Sequence, residues 1–173
     1  MIRLAKPADL PEILKIYEAA RQFMARSGNA SQWGRAYPPR ERIEADIRGG
    51  CLYVEEAEGK PAGVFAFLLG PEPNYERIDG AWRNSLPYGT IHRVASDGRV
   101  PGFFGRCMEF CKKQTANLRI DTHEENKVMR HLIEKSGFAE CGIIRVEDGS
   151  PRIAYQYVGE RADAAKEQFF FAA

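Results

Sequence analysis

Residues 88–138 constrain the fold more than any other part of the chain. Tyr88–Ala95 alternates and is rich in aromatic and β-branched residues, which predicts a strand. Ser96-Asp97-Gly98 signals a loop. Arg99-Val100-Pro101-Gly102 then leads into a helix, because Phe103, Phe104, Cys107, Met108 and Cys111 fall at helical spacing. Leu118–His123 reads as a short strand and Glu125–Ser136 as a second helix. Gly137 supplies the left-handed residue that ends it. A strand, a glycine-bearing loop and a helix in that order make a ready anion site. The helix start exposes unpaired N–H groups and about half a positive charge. Gly102 lets the backbone approach a phosphate, Pro101 sits where a missing N–H costs nothing, and Arg99 adds a cation. An ordinary strand-to-helix turn with a solvated arginine fits the same residues.

The loop Arg99-Val100-Pro101-Gly102-Phe103-Phe104 resembles the R/Q-x-x-G-x-G/A loop of the Gcn5-related N-acetyltransferase (GNAT) superfamily, with Phe104 in place of the last small residue. Asn126, Leu132, Glu134, Gly137 and Phe138 resemble the family's second signature. The resemblance covers residues 1–158 and implies a single α+β domain. Its mixed, twisted central β-sheet would be flanked by helices on both faces. It implies N-acetyl transfer from acetyl-CoA as co-substrate, with the cofactor along Val94, Ala95, Ser96, Gly98, Arg99, Val100, Pro101, Gly102, Phe103, Phe104 and Asn126. The backbone near Val94–Ser96 would pair with the pantetheine arm.

Direct transfer to an amine needs a base, a donor for the carbonyl oxygen and a proton for the thiolate. Asp121 closes the strand before Asn126 and is the first candidate base; a helix cap is its plainer role. His123 shares a strand face with Asp121 by the period of two and suits proton transfer near neutral pH. Many family members carry a tyrosine where this chain has Ile133, which cannot donate a proton. Tyr88, Tyr37 or His92 would have to substitute, or water would. Phe104 and Ile133 also keep a second class open: an acyl-CoA-binding or sensing module without turnover.

The rest of the chain fills in the fold. Met1–Lys6 is an expected strand, and Asp9 with Glu12 reads as a capping box. Leu10, Ile13, Leu14, Tyr17, Ala20 and Met24 mark a helix face that stops near Ser27-Gly28. The loop 29–39 carries Trp33 and Tyr37, which either line an acceptor pocket or cover the core edge. Glu41–Arg48 is a short helix. Cys51–Glu56 and Pro61–Leu69 form a hairpin whose second strand is apolar throughout, hence buried on both faces. The segment 70–87 is too long for a turn and too aromatic for a linker. Tyr75 and Trp82 are candidate acceptor contacts there, and its carboxylates Glu72, Glu76 and Asp79 suit an amine; a solvated loop with one packed Trp fits the same residues. Cys141–Val146 and Arg152–Val158 form a last hairpin. Residues 159–173 read as a polar helix or tail whose Phe169-Phe170-Phe171 dock on the domain or meet a second copy in a homodimer.

Composition excludes other classes. A formal net charge of +1 and no basic face with interleaved aromatics argue against nucleic acid. No run of about eighteen apolar residues predicts a membrane span. No G-x-G-x-x-G, P-loop or G-x-S-x-G occurs. Four cysteines without framework spacing suggest a reducing, cytoplasmic setting. Cys107 and Cys111 lie in an apolar stripe, so they read as small core residues, and no metal site is expected. The acceptor is expected to be a small-molecule or protein amine.

Overall fold

The computed structural model describes residues 1–160; the expected tail helix and the Phe169–Phe171 patch lie outside them. Among the described residues, eight strands and four α-helices follow one another as β1 (Ile2–Leu4), α1 (Leu10–Arg26), α2 (Arg40–Arg48), β2 (Leu52–Ala57), β3 (Lys60–Leu69), β4 (Asp79–Gly80), β5 (Gly89–Ser96), α3 (Phe103–Gln114), β6 (Asn117–Thr122), α4 (Lys127–Lys135), β7 (Ala139–Arg145) and β8 (Pro151–Val158). The strands form an eight-stranded, mostly antiparallel sheet. Among the described residues, no helix is long and apolar enough to cross a membrane. The chain gathers into two compact units. One holds Met1–Leu68 and Ile91–Cys107, the other Leu69–Thr90 and the described residues from Met108 onward.

In the first unit the strand order is β1-β2-β3-β5. β2 and β3 meet through Glu58 and Gly59, both left-handed (φ 51° and 76°), as a two-residue primed turn requires. Alternation sorts the side chains of β2 and β3. Leu52, Val54, Val64 and Ala66 face a core with Ile13, Ile16, Tyr17 and Ala20 of α1 and Ile43 of α2. On the other face, Tyr53 stacks on Phe65 at 5.4 Å, and Phe65 meets Phe103 of α3 at 6.2 Å. Helices therefore cover both faces, and β3 is buried along most of its length as its apolar run predicts.

The first turn corrects one expectation. Asp9 makes no side-chain cap on α1. Its Oδ2 accepts from the Lys6 N–H at 2.7 Å, and the carboxylate takes a forked pair of bonds from Arg3 at 2.7 and 3.0 Å. The guanidinium outcompetes the helix for that carboxylate because both bonds are charge-assisted.

In the second unit the order is β6-β8-β7-β4. One face of β8 carries Tyr155 and Tyr157. The Arg130 Nε of α4 donates to the Tyr155 hydroxyl at 3.1 Å, and Phe138 packs on Tyr157 at 5.7 Å. Asn126 caps the start of α4, its side chain accepting from Met129 N–H, and Gly137 with φ 89° follows the helix end. The opposite face is covered by the segment between β3 and β5. That segment forms a 3₁₀ turn (Pro73–Tyr75) and the two-residue β4, which pairs with β7 and was not expected.

Candidate acetyl-transfer site

The period of two along β6 builds the floor of the second unit's site. Leu118, Ile120 and Thr122 point one way; Asn117, Arg119 and Asp121 point the other, toward the segment 71–88. Asn117 and Gln156 clamp that segment. The Asn84 Oδ1 accepts from Asn117 Nδ2 at 2.9 Å, Gln156 Nε2 at 3.1 Å and Leu86 N–H at 3.2 Å, while Gln156 Oε1 accepts from Arg83 N–H at 2.8 Å. Tyr75, 2% exposed, donates its hydroxyl proton to Asp121 Oδ2 at 2.7 Å. Burial first and the Asp121 charge second push the Tyr75 phenol well above its ordinary range, so it holds its proton.

A pocket of about 490 Å³ opens between floor and segment, lined by Glu72, Tyr75, Glu76, Trp82, Tyr88 and Arg119 among others. Tyr75 packs on Trp82 at 5.2 Å and stacks on Tyr88 at 6.4 Å. The Arg119 guanidinium lies between two rings, 3.9 Å from that of Trp82 and 3.8 Å from that of Tyr88. The Tyr88 hydroxyl accepts from Glu72 N–H at 3.0 Å. Of the expected site residues, Tyr75, Trp82 and Tyr88 thus come together, with Asp121 bonded to Tyr75. Arg119 was missed. The signal that reaches it is the one that selects Asp121, since the two are separated by one residue on the same strand face.

His123 stands apart from them. β6 ends at Thr122, so strand alternation stops one residue short of it. Its Nδ1 accepts from Glu125 N–H at 3.3 Å and lies 3.8 Å from the Glu125 carboxylate. Asn126 acts as the α4 cap. Ile133, in place of the family's tyrosine, is fully buried.

The first unit carries the expected cofactor loop. Arg93 in β5 has φ 54°, a left-handed residue inside a strand, which breaks the regular pleat just before Val94. The bulge is held from two sides. The Arg93 carbonyl accepts from the buried Tyr17 hydroxyl at 3.1 Å, and its guanidinium pairs with Asp46 at 2.7 Å. The Asp46 charge keeps the Arg93 pKa raised against the burial that opposes it. Beyond Ser96, Gly98 and Gly102 both take positive φ, and Arg106 N–H donates to Gly102 O at 3.3 Å. Gly102 therefore precedes the first helical residue, and the N–H groups of Phe103, Phe104 and Gly105 have no acceptor within the helix. Phe103 and Phe104 are 5% and 7% exposed, so they offer backbone only. A Cβ added at Gly105 would meet nothing within 4 Å, so the backbone is open there rather than at Phe104. Arg99 is tethered, donating to Asp97 Oδ2 at 2.7 Å and Pro61 O at 2.6 Å. Arg106 is tethered to Glu55 at 2.6 and 2.8 Å.

Trp33 and Tyr37 also belong to the first unit. Trp33 packs on its core, edge-on to Tyr17 at 5.7 Å, and Tyr37 lies 6.1 Å from Trp33 and is 40% exposed. Cys107 and Cys111 are buried, and no group of metal-ligating side chains occurs among the described residues.

A GNAT-family acetyltransferase from Streptococcus agalactiae 2603 superposes with a TM-score of 0.82 at 32% identity, covering 92% of this chain and 95% of that one. The chain belongs to the GNAT acetyltransferase family. A protein described as an acetyltransferase from Staphylococcus aureus Mu50 matches at 27% identity and TM-score 0.67, over 91% of this chain and 98% of that one. A protein from Salmonella typhimurium, solved with its cofactor acetyl-CoA, matches at 18% identity and TM-score 0.56, over 91% and 92%, and shares the fold. No protein-family model and no curated protein matches the sequence.

Proposed function

We propose that the protein transfers the acetyl group of acetyl-CoA directly to a primary amine held in the 490 Å³ pocket. The observation that carries the cofactor half is the start of α3. Gly102 turns the chain at φ 77°, successive N–H groups lack helical acceptors, and the Gly105 position is open. That arrangement suits a pyrophosphate. Val94, Ala95 and Ser96, following the Arg93 bulge, are the backbone that the pantetheine arm would pair with.

The base in this reading is Asp121. It takes a proton from the incoming ammonium, directly or through water. The neutral amine attacks the thioester carbon, the C–N bond forms and the C–S bond breaks. Tyr75 holds the Asp121 carboxylate in place. Tyr88 gives a proton to the departing thiolate, a role Ile133 cannot fill. We assign the activity to the cytoplasm, in keeping with four cysteines standing as free thiols.

Release of CoA thiol with a panel of primary amines tests the reading. Asp121→Asn keeps the shape and is expected to bind acetyl-CoA, melt near the parent and lose about a hundred- to ten-thousand-fold in turnover. If His123→Gln loses more while Asp121→Asn stays active, the base is His123. If acetyl-CoA binds and no amine releases thiol, the protein is an acyl-CoA-binding module, the reading that the buried Ile133 favours.

A further inference from the structure

Arg119 is 5% exposed, yet no carboxylate among the described residues pairs with it. Its neighbours are uncharged: the two aromatic rings at 3.8 and 3.9 Å and the Asn84 carbonyl oxygen, which accepts from NH2 at 3.0 Å. Buried charges ordinarily carry a counter-charge, because desolvation is costly. Burial pushes the Arg119 pKa down, and no carboxylate offsets it. A second observation lies beside the first. The Asn84 Nδ2 and the Arg119 Nε are both buried without a hydrogen-bond partner. The Asn84 amide is fixed in orientation, since its Oδ1 already accepts from three donors. Both orphaned atoms are donors, both belong to pocket-lining residues, and both call for an oxygen acceptor. Glu72 and Glu76 line the same pocket with the opposite charge.

From this arrangement we infer that the acceptor carries a carboxylate as well as its amine: an amino acid or amino-acid-like zwitterion whose carboxylate meets Arg119 and Asn84. The inference rests on the acceptor occupying this pocket. A carboxylate supplies the negative charge that Arg119 lacks. The glutamates give the same pocket the opposite charge, which suits an ammonium. Trp82 and Tyr88 cover the faces of the guanidinium, so recognition falls to its edge, where a planar carboxylate fits better than a single-point acceptor.

Matched pairs decide it. The common L-amino acids and their carboxamides are each offered with acetyl-CoA, and thiol release is read. Binding of each is followed in parallel by saturation-transfer NMR. The expected result is that at least one free amino acid is used, with kcat/KM about ten- to a hundredfold above that of its amide. In Arg119→Gln and Arg119→Lys, checked for folding by circular dichroism, that ratio falls toward unity. If the amides serve as well as the acids in the parent, the inference is overturned and acetyl transfer stands. If neither set binds nor reacts, the inference is likewise overturned. If the acids bind in preference to the amides and no thiol is released, the inference holds and the transfer reading fails. The comparison within the parent protein decides the matter even if both variants misfold.

Discussion

Asp9 shows how one side chain can be drawn from its local role by a distant partner. Its carboxylate would serve the helix start, but Arg3 holds it, and the hydrogen bonds from Arg3 keep its pKa below the usual value. A depressed carboxylate contributes stability that is present above its unfolded pKa, about 3.9, and lost as pH falls through the lower folded value. Thermal melts across that acid range should show it: Asp9→Asn melts lower at neutral pH and declines less steeply in acid. Equal melting temperatures at neutral pH, with parallel acid declines, would remove the pair from the account. At this scale the sequence reading of the site is uneven for a physical reason. Asp121 was picked out as a candidate because alternation and its place before Asn126 select it. Arg119, on the same face, was not, since its meaning depends on Trp82 and Tyr88 arriving from a segment with no regular period. Arg99 read as a free cation, yet it pairs with Asp97 two residues away and also donates to the Pro61 carbonyl, a partner 38 residues away that no local pattern shows.

Among the elements, hydrophobic periodicity carried most of the fold. β3 reads as buried from its unbroken apolar run, and α1 shows its face through Ile13, Tyr17 and Ala20. What periodicity could not reveal were β4, only two residues long, and the bulge at Arg93, a local reversal fixed by tertiary contacts from Tyr17 and Asp46. The start of α3 is seated by packing of the same non-local kind. Phe103 lies over Gly63 of β3, where an added Cβ would stand 2.5 Å from the ring. Gly63→Ala should therefore displace Phe103 and with it the loop from Gly98 to Gly102. Overpacking of this sort costs about 1–3 kcal/mol. The variant is expected to melt earlier and to bind acetyl-CoA more weakly, read by calorimetry. A variant with parent-like melting and affinity would mean that α3 is seated by other contacts.

Across the whole molecule, family membership rests on likeness over nearly the full chain, while the chemistry rests on two local arrangements, one in each unit. The second unit offers a charged, aromatic pocket with Tyr75 bonded to Asp121. The first offers a helix start with unpaired N–H groups behind a left-handed glycine. The central claim is that the helix start receives the phosphates of acetyl-CoA, and Gly105→Glu tests it most directly. A Cβ added there meets nothing within 4 Å. Replacing a helical glycine gains about 0.5–1 kcal/mol of propensity, and a carboxylate suits a helix N-terminus, so the fold should be as stable as the parent or more so. The same carboxylate would repel a pyrophosphate. Calorimetric titration with acetyl-CoA should therefore give an affinity at least about tenfold weaker than the parent, in a protein that melts no earlier. Unchanged affinity in a stably folded Gly105→Glu would contradict the account.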